Sequence, residues 1–381
     1  MKIALVIDRF DPRLGGAEQW SHCFALRLAS AGHEVHVVAS RFGPAESCSP
    51  WIAHEVRAGR SRIEFAEAAR RRLQWLAPDV IHDTGAGWYC NVFQPHGGSR
   101  RASFEQNLLL LPPWLRPAKR RLARLLPRYR RFEALGRRQY AADGRLLVAI
   151  SRMVARDFER YHDVSADRIR LVYNGVDVER FTPALRARHR ESIREALGVA
   201  EWELLLLIVA HHFRLKGVPT LLRCVSELRR RKLPVRLVVV GGKPTAAPAE
   251  PLRQDSSGVT FVGPVRDTAP YYAAADVYVQ PTFYDPCSLV ALEALSCGLS
   301  VITSRFNGAA ELLTDGVDGY TLDDPRDAVE LARRVEVFLE RDVRDRMGQA
   351  ARQLALAHTL ERNDQEMMTV YADAAGRRQA A

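Results

Sequence analysis

Asp285 and Glu293 are the two residues whose spacing most directly suggests chemistry. They sit in the run Phe283-Tyr284-Asp285-Pro286-Cys287-Ser288-Leu289-Val290-Ala291-Leu292-Glu293. The apolar stretch after Asp285 predicts a helix that carries Glu293 in its second turn, so the two carboxylates would flank one helix N-terminus. Free amides at Ser288, Leu289 and Val290 would meet phosphate or sugar oxygens, while the carboxylates accept hydrogen bonds from hydroxyls of a sugar or ribose. An acid on an otherwise apolar helix is costly without partners. The competing reading makes Asp285 a plain N-cap and Glu293 a satisfied structural acid.

Two further segments share that logic. In His211-His212-Phe213-Arg214-Leu215-Lys216-Gly217, Arg214 and Lys216 lie two residues apart just after an apolar run. Such a pair can clamp a diphosphate, the arginine with paired donors and the lysine as a point charge; solvated surface charge is the alternative. In Pro12-Arg13-Leu14-Gly15-Gly16-Ala17-Glu18, Gly15 and Gly16 open a helical stretch after the first apolar run. Glycines there admit a close approach to the backbone, and helix-start amides attract an anion. A tight turn that binds nothing would use the same residues. The dinucleotide fingerprint GxGxxG is absent, which argues against a dehydrogenase.

Positioning these segments requires parallel strands with ligands at their carboxyl ends. Short β-branched runs alternate with helical stretches over residues 1 to 173, with strands expected at Ile3 to Asp8, Glu34 to Ala39, Val80 to His82, Asn91 to Gln94, Leu146 to Ile150 and Ile169 to Val172. Between the first two, Trp20, Phe24, Leu26 and Leu28 recur at helical spacing in Ala17 to Ala31. Tyr173-Asn174-Gly175-Val176-Asp177 has turn chemistry and marks a domain boundary. A second βα series follows, with strands expected at Leu204 to Ala210, Val235 to Val240, Val259 to Val262, Val277 to Gln280 and Leu299 to Thr303. The fold class is α/β, two doubly wound Rossmann-like domains at 1–173 and 174–363. Residues 327–381 read as helical, with a last helix from Asp364 to Ala375 that would cross back to the first domain.

Composition bounds the remaining possibilities. The chain has 381 residues, 47% apolar and 27% charged, which suits two packed domains. Its six cysteines, Cys23, Cys48, Cys90, Cys224, Cys287 and Cys297, show no CxxC pair and no zinc spacing, so a reducing compartment is expected. The first apolar run is far too short for a signal-peptide core, and no stretch nears the roughly 18 to 20 apolar residues of a membrane span. A cytoplasmic protein is expected. The net charge of +11 favours polyanionic partners in general.

The Asp285-x7-Glu293 loop and helix resemble the acid-x7-Glu motif of the family-4, or group 1, retaining glycosyltransferases of the GT-B fold. Similar too are Gly15-Gly16-Ala17-Glu18, Asn174-Gly175-Val176-Asp177, the Arg214/Lys216 pair and Asn307-Gly308-Ala309-Ala310-Glu311-Leu312, in family order across most of the chain. The resemblance implies two Rossmann-like domains with an interdomain cleft that holds a nucleotide sugar. It implies that Glu293 binds the nucleotide's ribose, that Asp285 and the Ser288, Leu289 and Val290 backbone hold the donor sugar, and that Arg214 and Lys216 stabilise the departing diphosphate, faced by Gly15 and Gly16. It also implies that His96, in Gln94-Pro95-His96-Gly97-Gly98, approaches the donor sugar; a core or surface histidine is the alternative. Two positions depart from the family pattern. Asp285 stands where glutamate is usual and Ser288 where glycine is usual, and both bear on the donor sugar's identity more than on the reaction.

Catalysis must expel a nucleoside diphosphate while an acceptor hydroxyl attacks the anomeric carbon. Fixed cations and helix amides aimed at the leaving phosphate lower that barrier. No Asp-x-Asp motif suited to a metal-held diphosphate is present, so metal-independent turnover is expected, with no metal site and no cofactor beyond the nucleotide-sugar co-substrate. The resemblance implies retention by same-face attack, and closure about the Asn174–Asp177 hinge would limit donor hydrolysis.

The positive charge is concentrated. From Trp114 to Arg138 there are ten Lys or Arg and one acid, interleaved with Leu115, Leu122, Leu125, Leu126, Tyr129, Phe132 and Leu135. Residues 112–138 therefore form a basic amphipathic segment suited to an anionic membrane surface, interrupted at Pro112, Pro113, Pro117 and Pro127. A solvated helix pair and an arginine-rich RNA-binding stretch are the alternatives. Within the family such an insertion resembles the lipopolysaccharide core glucosyltransferase I type, which implies UDP-glucose as donor and a lipid-linked inner-core acceptor, or more broadly a glycolipid or polysaccharide, at the inner face of the cytoplasmic membrane. A sugar-nucleotide 2-epimerase of the same fold and a basic nucleic-acid-binding protein on a degenerate scaffold are the competing functions. The second lacks a recognised RNA-binding motif, so no nucleic-acid partner is expected.

Overall fold

The computed structural model describes residues 1–44, 49–57, 61–242 and 258–379; Cys48 lies outside them. The chain divides into two compact units, Met1–Tyr173 with Asn363–Ala381, and Asn174–Arg362.

The first unit is built on a parallel sheet of β1 (Lys2–Phe10), β2 (Glu34–Phe42), β3 (Ile52–Glu55), β4 (Val80–Asp83), β5 (Val92–Phe93), β6 (Leu146–Ala149) and β7 (Ile169–Leu171), in the order β3-β2-β1-β4-β5-β6-β7. The interior strand β1 is buried over Ile3–Ile7, because helices cover both faces of a parallel sheet and leave no polar side. The helix Gly16–Ser30 returns from β1 to β2 and buries Trp20, Phe24 and Leu28 of the expected apolar set, with Leu26 half-buried. The helix Leu360–Gln379 also belongs to this unit from Asn363 on, and its Asp364 accepts from the Arg27 guanidinium at 2.6 and 2.9 Å.

The second unit repeats the plan with β8 (Leu204–Val209), β9 (Val235–Val240), β10 (Val259–Gly263), β11 (Val277–Gln280), β12 (Ser300–Ser304) and β13 (Gly319–Leu322), all parallel, in the order β10-β9-β8-β11-β12-β13. Its core joins Leu206, Ile208, Leu221, Leu237, Ile302 and Phe338. In both sheets the order reverses direction beside the first strand, between β1 and β4 and between β8 and β11. At such a switch point the loops leaving two adjacent strands part to opposite faces and open a crevice at their carboxyl ends.

Two strands, β3 and β13, fall where the apolar runs predict none. Both are edge strands. Three of the four β3 residues are exposed, so no apolar alternation marks it, and β13 opens on a glycine whose Cβ would meet the Val301 carbonyl oxygen at 2.2 Å. The Asn174–Asp177 turn is tied down within the second unit. The Val176 amide donates to the His358 carbonyl at 3.0 Å, and Asn174 Nδ2 donates to the Cys287 carbonyl at 2.9 Å.

Candidate active site

In the second unit the chemistry-bearing residues gather at the β8/β11 switch point. The loop after β8 carries Arg214 and Lys216 and is fastened to the loop after β11: the Phe283 amide and the Thr282 hydroxyl both donate to the Leu215 carbonyl, at 2.8 and 3.0 Å. Gly217 makes this approach possible. Its φ of +79° lies in the left-handed region, and a Cβ there would sit 1.9 Å from the Pro281 carbonyl oxygen.

Lys216 Nζ is ion-paired with Asp285 Oδ2, which also accepts from Gln280 Nε2 at 3.2 Å. Gln280 ends β11, and its Oε1 accepts from the Ser288 hydroxyl at 2.9 Å. One carboxamide thus bridges Asp285 and Ser288. Arg214 is exposed and has no ion-pair partner among the described residues.

The helix after this loop runs Leu289–Ser296, with Ser288 at the N-cap position. Asp285 is therefore not its cap. The Ser288 amide is also not free, since it donates to Asn307 Oδ1 at 3.2 Å. That leaves Leu289 and Val290, whose amides have no intrahelical acceptor because they begin the helix, as the donors available to an anion. Glu293 does lie in the second turn, but its carboxylate meets Tyr272, whose hydroxyl donates to Oε2 at 2.8 Å. Burial pushes Glu293 up to about 7, against the lowering effect of the Tyr272 hydrogen bond and the Arg180 charge.

In the first unit, Gly15 occupies the N-cap position of the helix Gly16–Ser30 in an extended conformation, and Gly16 is exposed. The turn before it is braced by Arg13, which donates to both Asp11 oxygens at 2.8 and 2.6 Å and holds that carboxyl down to about 2. His96 follows β5 in a turn closed by the Gly98 amide on the Pro95 carbonyl at 2.8 Å. Its ring lies 4.3 Å from that of Trp20, and burial pushes its pKa down to about 3, so the imidazole is neutral.

Comparison with known proteins decides what this arrangement belongs to. Residues 14–180 match the family model "Glycosyltransferase Family 4" and residues 203–341 match "Glycosyl transferases group 1", so the two together span most of the chain. The chain belongs to the group 1, family-4 glycosyltransferases. D-inositol 3-phosphate glycosyltransferases are among its relatives: that of Thermobifida fusca is 32% identical over 60% of this chain and 55% of its own length, and that of Xylanimonas cellulosilytica 33% over 65% and 61%. The chain thus spans less than two thirds of the length of these curated relatives. Among solved structures, WaaG, a glycosyltransferase involved in lipopolysaccharide biosynthesis, superposes with a TM-score of 0.81 at 21% identity, over 96% of this chain and 98% of its own. Anabaena HepE in complex with UDP-glucose superposes with a TM-score of 0.74 at 18% identity, over 98% and 100%. These likenesses establish the GT-B fold.

Four residues of this glycosyltransferase matter to the site although sequence patterns gave them no role. Gln280 and Asn307 hold the loop that carries Asp285, Tyr272 holds Glu293, and Gly217 lets the two loops touch. A polar residue ending an otherwise apolar strand was a visible signal at Gln280. Nothing local distinguishes Tyr272, which lies on a separate short helix, Ala269–Ala274.

The basic segment of the glycosyltransferase breaks where its prolines require, into a turn at Pro113–Leu115 and helices Arg116–Leu125 and Pro127–Gln139. Its apolar side is only partly covered: Leu135 is buried and Leu115, Tyr129 and Phe132 are half-buried, while the rest faces solvent. Trp114 and Leu125 are each 75% exposed and Leu122 is 54% exposed, among exposed arginines. Phe132 instead turns inward, with the guanidinium carbons of Arg62, Arg100 and Arg128 at 5.9, 4.9 and 5.6 Å from its ring. Among the described residues no helix is long and apolar enough to cross a membrane.

Proposed function

We propose that this glycosyltransferase moves a hexose, glucose from UDP-glucose, to a hydroxyl of a lipid-linked or polysaccharide acceptor such as the lipopolysaccharide inner core, with retention and without a metal ion. The observation that carries this reading is the convergence of Lys216, Asp285 and the free amides of Leu289 and Val290 at one switch point, one helical turn from Glu293. Cations and amides there suit a diphosphate, and the two carboxylates suit the hydroxyls on either side of it.

In the proposed reaction the bond between the anomeric carbon and the diphosphate oxygen breaks, and one from that carbon to the acceptor oxygen forms on the same face. The acceptor's proton passes to the leaving phosphate. Arg214 and Lys216 meet the charge that grows on that phosphate, the task a metal ion performs elsewhere. As the diphosphate draws on Lys216, Asp285 is released to accept from a sugar hydroxyl. Glu293 accepts from the ribose, His96 offers a neutral imidazole to the transferred sugar, and Gly15 and Gly16 admit close approach to the diphosphate.

The donor assignment is supported by the common fold with a protein seen with UDP-glucose. For the acceptor, the curated relatives are named for a small phosphorylated alcohol and WaaG for lipopolysaccharide. The exposed Trp114, Leu122 and Leu125 among arginines favour a lipid-linked acceptor met at an anionic membrane surface, with the protein held peripherally at the inner face of the cytoplasmic membrane. A 2-epimerase has no use for such a surface.

Proton NMR of UDP-glucose incubated in EDTA with the protein and a bacterial inner-core glycolipid tests the proposal. An α-linked glucose signal on the lipid, with release of UDP, is expected. Conversion of the donor to its 2-epimer, or turnover only on adding a divalent ion, would contradict it.

A further inference from the structure

Ser288 stands at the N-cap of the helix Leu289–Ser296, but its side chain does not cap that helix. The other serines at α-helix N-caps among the described residues do so: Ser61, Ser99 and Ser151 accept from the amides of Ile63, Ala102 and Val154. Backbone geometry does not explain the difference. Ser288 has φ −66° and ψ 111°, close to the −74° and 119° at which Ser99 caps. What differs is where the hydroxyl points, since that of Ser288 donates to Gln280 Oε1 at 2.9 Å.

The Gln280 carboxamide is oriented from its other end. Its Nε2 donates to Asp285 Oδ2 at 3.2 Å, and because a carboxylate only accepts, the amide must turn its nitrogen to Asp285 and its oxygen to Ser288. Asp285 is itself fixed by its ion pair with Lys216, and the Thr303 hydroxyl donates to the Gln280 carbonyl at 2.7 Å. Gln280 and Ser288 are both buried, so water does not compete for the bond between them.

The consequence lies at the helix start. A capping serine takes the amide of the second or third helical residue, here Val290 or Ala291. With the hydroxyl drawn aside, the amides of Leu289, Val290 and Ala291 have no acceptor among the described residues, and Leu289 and Val290 are only half-buried. The glycine usual at this position in the family has no hydroxyl that could compete for these amides. Ser288 has one, and Gln280 diverts it.

We propose that Gln280 is a positioning residue that holds Ser288 away from its own helix and so keeps the first helical amides free for the diphosphate of the donor. The proposal rests on the assignment of this helix start to the nucleotide sugar. Without Gln280, Ser288 closes on Val290 or Ala291 and competes with the ligand for the same donors.

The test is a double-mutant cycle on the full chain, read by calorimetric titration with UDP, for the wild type, Gln280→Leu, Ser288→Gly and the double variant. Bare UDP is the probe because Asp285, which also loses a partner in Gln280→Leu, is assigned to the sugar. Gln280→Leu should bind UDP about tenfold more weakly, the loss expected when one hydrogen bond to a charged ligand is contested. In the Ser288→Gly background the same change should leave affinity within about twofold of Ser288→Gly alone, the scatter of such cycles. Should Gln280→Leu show no cooperative thermal unfolding, Gln280→Met, which keeps the unbranched length, takes its place in the cycle. An equal loss of affinity in both backgrounds would show that Gln280 acts only by supporting the loop, and that result, or wild-type affinity in Gln280→Leu, would overturn the proposal and leave the donor assignment standing. Failure of the wild type to bind UDP would overturn the donor assignment itself, and the role of Gln280 with it.

Discussion

The Tyr272 hydroxyl donates to Glu293 Oε2 at 2.8 Å and lies 3.1 Å from the Val290 carbonyl oxygen. One phenol therefore ties the acid of the second helical turn to the backbone of the first. The tyrosine is fully buried, and its own pKa is raised well above the ordinary value, so it remains a donor at any working pH. It supplies the carboxylate with a partner in a place where burial alone favours the protonated acid.

A pH dependence of donor binding follows. Burial pushes Glu293 up to about 7, and the ribose contact proposed for it needs the carboxylate, so nucleotide affinity should rise with pH through about 7 and level off above it. Tyr272→Phe removes a lowering influence and should move the midpoint upward. Glu293→Ala should abolish detectable binding. Calorimetry from pH 6 to 9 measures this, and a flat wild-type profile with retained binding in Glu293→Ala would rule out the assignment.

Removing Lys216 should affect the leaving group more than the ground state. Lys216→Met is expected to lower kcat by about 10²-fold or more, the usual effect of losing one fixed donor at a developing anion, with a smaller change in KM. It also leaves the buried Asp285 with Gln280 as its remaining side-chain donor. Adding Asp285→Asn to Lys216→Met should therefore recover melting temperature without recovering rate. Steady-state kinetics and thermal unfolding of both proteins check the two halves.

Gly217→Ala should be severe for a reason visible in the backbone. A methyl group would press on the Pro281 carbonyl oxygen in a left-handed conformation, forcing the loops of β8 and β11 apart. A loss on the order of 2–3 kcal/mol of stability is expected, together with loss of transfer. Gly198 also has a positive φ, +64°, but open space around it, so Gly198→Ala should cost only about 1 kcal/mol and leave activity intact. Urea unfolding of the two variants gives the comparison.

The membrane binding proposed for the basic segment has an electrostatic and an apolar part that salt separates. The protein should co-sediment with phosphatidylglycerol-containing vesicles and bind pure phosphatidylcholine vesicles weakly. Replacing Leu122 and Leu125 with serine should leave binding at low salt but abolish what survives at high salt. Vesicle binding indifferent to lipid charge would contradict the membrane role.

Much of this was legible in the sequence, because a buried parallel strand such as Leu204–Val209 is an unbroken apolar run and the acid spacing of Asp285 and Glu293 survives folding as loop and helix. The edge strands β3 and β13 were not, since a strand with one exposed edge needs little apolar patterning. The pairing of Lys216 with Asp285 was beyond reach for another reason. The residues are 69 positions apart, and only the adjacency of β8 and β11 brings them together. The same holds for Asn307, which takes the Ser288 amide from a separate loop after β12 and so removes a donor that the helix start alone would offer.

Calorimetric titration of the purified protein in EDTA with UDP, GDP and ADP tests the central claim most directly. Saturable, metal-free binding of UDP, lost in Glu293→Ala, is the predicted result. Binding of none of the three would mean that the Lys216, Asp285 and Glu293 constellation holds no nucleotide, and would contradict the account.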